Sequence, residues 1–160
     1  MPSKRRSKSQ RRETTPDQAA DQRDQPLALF HLRIGWWLLL VFVVLGVVLE
    51  SLHGFKVAWY LNVGQESRRL LWRLSHANGT FLALVNIGFA ATVWIRGQEA
   101  TSRLMVASRC LLAASVLVPA GFFWGGTTLY GNDPGVGIIL LPIGAVLLIV
   151  AVGLTASVKR

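Results

Sequence analysis

Val136-Gly-Ile-Ile-Leu-Leu-Pro-Ile-Gly-Ala-Val-Leu-Leu-Ile-Val-Ala-Val-Gly-Leu-Thr-Ala-Ser-Val158 contains no ionisable side chain from end to end. A helix of about 20 apolar residues crosses a ~30 Å hydrocarbon core, and this stretch is long enough to do so. It does not alternate, as the segments of about ten residues in a membrane β-barrel must. Three further spans of the same kind precede it, at Leu27–Leu49, Leu71–Ile95 and Leu104–Tyr130. The chain is 52% hydrophobic with a mean hydropathy of +0.43, and its charges gather in the first residues and in the short connections. The expected fold is all-α, an integral membrane four-helix bundle preceded by a disordered basic tail at residues 1–26.

Charge sets the expected topology. One side of the membrane collects Lys4, Arg5, Arg6, Lys8, Arg11, Arg12, Arg23, Arg33, Arg96, Arg103, Lys159 and Arg160. The other receives Lys56, Arg68, Arg69 and Arg73. Basic residues favour the cytoplasmic side, so both termini are expected there, in a cell inner membrane. The net charge of +9 is then topogenic and lipid-facing. The basic opening suits anionic headgroups and, with no aromatic side chain interleaved to stack on bases, does not suit nucleic acid. Arg109, the charge inside the third span, snorkels back to the headgroups on this reading. Cys110 is the single cysteine and cannot form an internal disulfide.

Residues 51–70 interrupt the apolar pattern. Phe55, Trp59 and Tyr60 stand there with Lys56 and two arginines, a mixture suited to the membrane–water boundary. The segment is expected to be a re-entrant turn or a short interfacial helix, bending at Gly54 and Gly64. Trp36 and Trp37 are expected to anchor the inner boundary, and Trp59 and Trp72 the outer.

His53–Lys56, Ser75–Leu84, Phe123–Tyr130 and Leu141–Ala145, in that order, resemble elements of the small membrane proteins grouped as domain of unknown function 423. His53-Gly-Phe-Lys56 is similar to the family's "AHGLK" element, and Ser75-His-Ala-Asn-Gly-Thr-Phe-Leu-Ala-Leu84 to its second histidine motif. Phe123-Trp-Gly-Gly-Thr-Thr-Leu-Tyr130 resembles "FSGSLY", and Leu141-Pro-Ile-Gly-Ala145 resembles "TPIGG". The resemblance covers about residues 35–157. It departs at Leu49-Glu50-Ser51-Leu52, where the family carries small residues, in the missing tyrosine before His76, and in Gly-Ala for the final pair of glycines. It implies a four-helix fold and a membrane location, and no activity.

The residues that invite chemistry are Glu50, His53, Arg69, Arg73 and His76. Glu50 and His53 share a helix face, as do Arg69, Arg73, His76, Thr80 and Ala83, and both histidines fall near the outer helix ends. Ionisable groups at such depth are costly unless paired. Three readings compete. In a structural network Glu50 pairs with Arg69 or Arg73 while the histidines bond freed backbone. In a haem site both imidazoles serve as axial ligands. In a proton or small-solute path Glu50 and a histidine exchange protons, with Asn78 and Asn86 extending the polarity, though below Asn86 the span offers little beyond Thr92. Zinc wants three or four protein ligands and finds only Glu50, His53 and His76. No catalytic constellation is apparent, since Ser75 and His76 are adjacent on a helix and point apart.

The remaining signals concern packing. Gly121 and Gly125, four apart, let another helix approach closely. Pro119 and Pro142 are expected to bend their helices, with Ser115 among the neighbours that satisfy freed carbonyls. Gly131-Asn-Asp-Pro-Gly135 is expected to form the tight turn between spans three and four, Asp133 being a minor candidate for a cation. The expected function is a non-enzymatic structural, accessory or partner-binding membrane component, self-associating or docking a membrane protein; a proton or small-solute transporter is the alternative.

Overall fold

The computed structural model describes residues 16–62, 64, 66–96, 101–131 and 133–157, with side chains from Pro26 onward. Its elements are α1 (Pro16–Gly54), α2 (Ala58–Leu61), α3 (Glu66–Arg96), α4 (Ser102–Thr127), a 3-10 turn (Val136–Ile139) and α5 (Leu140–Ala156). Four helical segments, Pro26–Gly54, Glu66–Arg96, Ser102–Thr127 and Val136–Ala156, are long and apolar enough to cross a membrane. The protein is an all-α four-helix bundle of multi-pass membrane type.

The expected disordered tail spans residues 1–26. Residues 1–15 lie outside the described residues, but α1 already begins at Pro16. Proline suits a first helical position, and the Ala, Gln and Arg that follow are good helix formers. Pro26 then stands inside α1 where the apolar span begins.

Helices adjacent in the chain pack side by side, in the order α1, α3, α4, α5. Within an apolar stretch of 18 residues in each span, 50% of α4 and 39% of α3 is buried, against 17% for each flanking span. α1 and α5 therefore turn most of their surface outward, as Val44, Val47, Val146 and Ile149 show. In lipid such exposure costs nothing, because acyl chains are as apolar as the side chains; close backbone approach and hydrogen bonds must specify the packing.

Small residues supply the close approach. A side chain at Gly35 would strike Ile87 and the Ala83 carbonyl, one at Gly46 the His76 ring, and one at Gly79 the Phe42 ring. These pairs form an antiparallel ladder between α1 and α3. At the next interface Gly126 receives Trp72 and Leu71. Between α4 and α5, Gly121 lies against Leu141 and Gly137, Gly125 against Gly135 and Ile138, and Gly144 against Val118. The glycine pair of α4 thus packs the entry to α5 within one chain.

The first connection holds a one-turn helix, and Lys56 makes its bend. α1 ends with Lys56 N–H bonded to the His53 carbonyl and Val57 N–H to the Leu52 carbonyl, with Lys56 at φ +50°. That is a Schellman cap whose left-handed position, usually glycine, is filled by lysine. Gly54 remains helical.

The last connection is a tight turn. Tyr130 and Asp133 exchange two backbone hydrogen bonds around Gly131 at φ +65°. Thr127 and Thr128 hydroxyls both donate to the Trp124 carbonyl, closing α4 three residues before the expected end of the span. Pro142 does not interrupt a helix interior: it sits in the first turn of α5, where an absent N–H costs least.

Candidate functional site

A polar network lies buried between α1, α3 and α4. His31 is fully buried, with Nδ1 2.8 Å from Asn86 Oδ1 and Nε2 2.7 Å from Ser108 Oγ. Asn86, also fully buried, donates from Nδ2 to the Leu82 carbonyl at 2.8 Å and to Ser115 Oγ at 2.8 Å. Ser115 passes its hydrogen to the Leu111 carbonyl.

This arrangement assigns the protons. A carbonyl only accepts, so the Asn86 amide nitrogen must face Leu82 and its oxygen must face His31. Nδ1 of His31 therefore carries the hydrogen, and in the neutral ring Nε2 accepts from Ser108. Donors run from Ser108 through His31 and Asn86 to two backbone carbonyls, and every polar side-chain atom of His31 and Asn86 is bonded. The Phe30 and Phe89 rings pack against the imidazole at 5.7 and 4.5 Å.

Sequence reasoning passed over His31, which stands between Phe30 and Leu32 at the start of the first span. The available signal was an imidazole inside an apolar helix, a functional or structural marker wherever it occurs. Asn86 was read as extending a path from the outer cluster. It instead belongs to a separate network toward the α3–α4 end.

The expected outer cluster is dispersed. His76 Nδ1 lies 2.6 Å from the Phe42 carbonyl oxygen, with the ring filling the notch at Gly46. His53 is exposed, seven residues beyond Gly46, or about 10 Å along α1 at 1.5 Å per residue. His76 is thus committed to the α1 backbone, while His53 stands apart at the exposed end of α1. Among the described residues, no group of three or more His, Cys, Asp or Glu side chains could hold a metal ion.

Arg69 takes a different partner from the one expected. It donates to the Tyr60 and Asn62 carbonyls, both at 3.1 Å, and stands 3.6 Å from Glu66 rather than pairing with Glu50. Its guanidinium thereby caps α2, whose last carbonyls have no helical partner. Arg73 and Glu50 are exposed. Glu50 and His76 do share one feature: with Val43, Gly46, Val47 and Ser51 they line an open groove of about 570 Å³. Inward of His76, the Phe42 ring seated on Gly79 closes the α1–α3 interface.

The outer end is held by aromatic stacking. Tyr60 stacks on Trp72 at 6.5 Å, Trp72 on Phe123 at 5.6 Å, and the Trp59 ring meets both Tyr60 and Trp72 edge-on. Trp72 also donates to the Phe123 carbonyl, and Ser75 to that of Pro119. Ser115, expected to repair carbonyls freed by proline, instead bonds Leu111 and Asn86. Its hydroxyl is committed to the central network.

No family model matches the chain, and neither the curated proteins nor the solved structures contain a match to it.

Proposed function

We propose that this protein is a non-enzymatic membrane component, structural or accessory, that works by presenting its flanking helices to a partner. The observation that carries the reading is the closure of the His31–Asn86–Ser108–Ser115 network. A catalytic or transport site needs polar groups facing a space that a substrate can enter, whereas these face one another. The network locks α1, α3 and α4 together. The outward faces of α1 and α5 remain for association, and Trp36, Trp37 and Arg33 on α1 are residue types that anchor interfaces. Kinship with the domain of unknown function 423 family belongs to the same proposal. It is supported by the four motifs falling at the end of α1, along α3, at the end of α4 and at the start of α5.

The test is photo-crosslinking from Trp37 and Val146 positions in native membranes. Discrete adducts at either position, absent from probes at buried Leu82, support the reading. Only lipid-sized adducts at every exposed position would count against it.

Proton or small-solute transport has one observation in its favour, the groove shared by Glu50 and His76. It predicts a flux in proteoliposomes that Glu50→Gln abolishes. No flux from the parent protein would end it.

A further inference from the structure

We propose that the cleft between α3 and α5 is a binding site for one acyl chain of an anionic phospholipid, with Arg96 holding the headgroup. The cleft, about 380 Å³, is walled by Val85, Phe89, Leu111, Ala151 and Val152. Its volume lies within the roughly 300–1,000 Å³ typical of small-molecule sites. Two hydroxyls reach its lining, but Thr92 donates to the Gly88 carbonyl and Thr155 to that of Ala151. Neither hydroxyl hydrogen is offered to a ligand, so the interior recognises an apolar chain.

The mouth is different. Arg96 stands at the end of α3, exposed to the boundary, and its Nη1 donates to the Thr155 carbonyl of α5 at 3.3 Å. That bond spans the cleft and holds a planar cation over it. A guanidinium carries five donors in a fork that suits phosphate oxygens. Arg33, Arg103 and Arg109 lie toward the same end of the bundle, so the local field favours an anionic headgroup over a zwitterionic one.

Gly88 makes the site testable. It lines the cleft, and a side chain there would meet nothing within 4 Å. Gly88→Leu should therefore fill the space without displacing protein atoms. Gly153 on α5 is equally unobstructed but does not line the cleft, so Gly153→Leu is the matched control.

The full chain would be reconstituted with equal amounts of phosphatidylglycerol and phosphatidylcholine of identical chains, released from the bilayer, and weighed by native mass spectrometry. The wild type and Gly153→Leu should retain one phosphatidylglycerol, preferred by about fivefold, the effect expected of one basic residue near the surface. Arg96→Gln should lose the preference and Gly88→Leu the adduct, with thermal unfolding of Gly88→Leu unchanged or raised. Equal retention of both lipids by the wild type would overturn the proposal, as would an unaltered adduct in Gly88→Leu. A dimer that dissociates in Gly88→Leu, with no lipid adduct in any variant, would assign the cleft to a second copy and also overturn it.

Discussion

His31 and Asn86, 55 residues apart in the chain, meet through a 2.8 Å hydrogen bond from Nδ1 to Oδ1 in the interior of the bundle. Removing Asn86 strands the imidazole N–H where water does not reach. Asn86→Ala should therefore destabilise the protein by about 2 kcal/mol, the cost of a buried unsatisfied group. Ser108→Ala strands the Nε2 acceptor of the same buried ring and should cost about 1 kcal/mol. The double variant His31→Phe with Asn86→Leu should recover most of the loss, because neither ring nor amide is then left unpaired and the Ser108 hydroxyl can turn to a carbonyl of its own helix. Unfolding in mixed micelles measures all three, and an Asn86→Ala protein as stable as wild type would refute the network's role.

Two glycines on α3 should respond oppositely to alanine. A Cβ at Gly79 would come within 2.4 Å of the Phe42 ring, whereas one at Gly88 meets open space. Gly79→Ala should cost about 1–3 kcal/mol through overpacking. Gly88→Ala should gain about 0.5–1 kcal/mol by stiffening the helix. The same unfolding assay separates them.

Lys56 occupies the left-handed position of the cap that ends α1. A Cβ there costs about 1–2 kcal/mol. Lys56→Gly should return about 1 kcal/mol, and Lys56→Val should lower stability because a branched side chain fits φ +50° worst.

Tyr60 is buried, with a hydroxyl that finds no partner among the described residues. Tyr60→Phe should preserve the stack with Trp72 and leave stability equal or higher by up to about 1 kcal/mol. Tyr60→Ala, which removes the stack, should cost about 3 kcal/mol or more.

Four spans put the α3–α4 connection and the end of α5 on one side of the membrane and the α4–α5 turn on the other. In a Cys110→Ala background, single cysteines at Thr101 and Ser157 should react with an impermeant thiol reagent from the same side, and one at Gly131 from the opposite side. The basic excess at the α3–α4 side predicts that Thr101 and Ser157 are cytoplasmic. Labelling of Thr101 only from outside would invert the topology.

The number and order of the membrane spans were legible in the sequence, because the bilayer imposes a minimum length on any apolar run that crosses it. Val136–Ala156 and the rest follow from that constraint alone. The tight turn at Gly131 was legible from local chemistry, since Pro134 restricts the backbone and glycine at 131 admits the left-handed conformation. Which faces meet was decided only in the tertiary structure. In water a buried face announces itself as an apolar stripe, but these spans are apolar all round, and lipid accepts either face equally. Contacts such as Gly46 with His76 and His31 with Asn86 depend on the offset between helices, which no periodicity within one helix encodes. The outer charges looked convergent because helical spacing aligned them on their own helices. Packing turned Arg69 to α2 and seated His76 against Phe42, and left the buried polar centre to a histidine whose sequence neighbours are apolar.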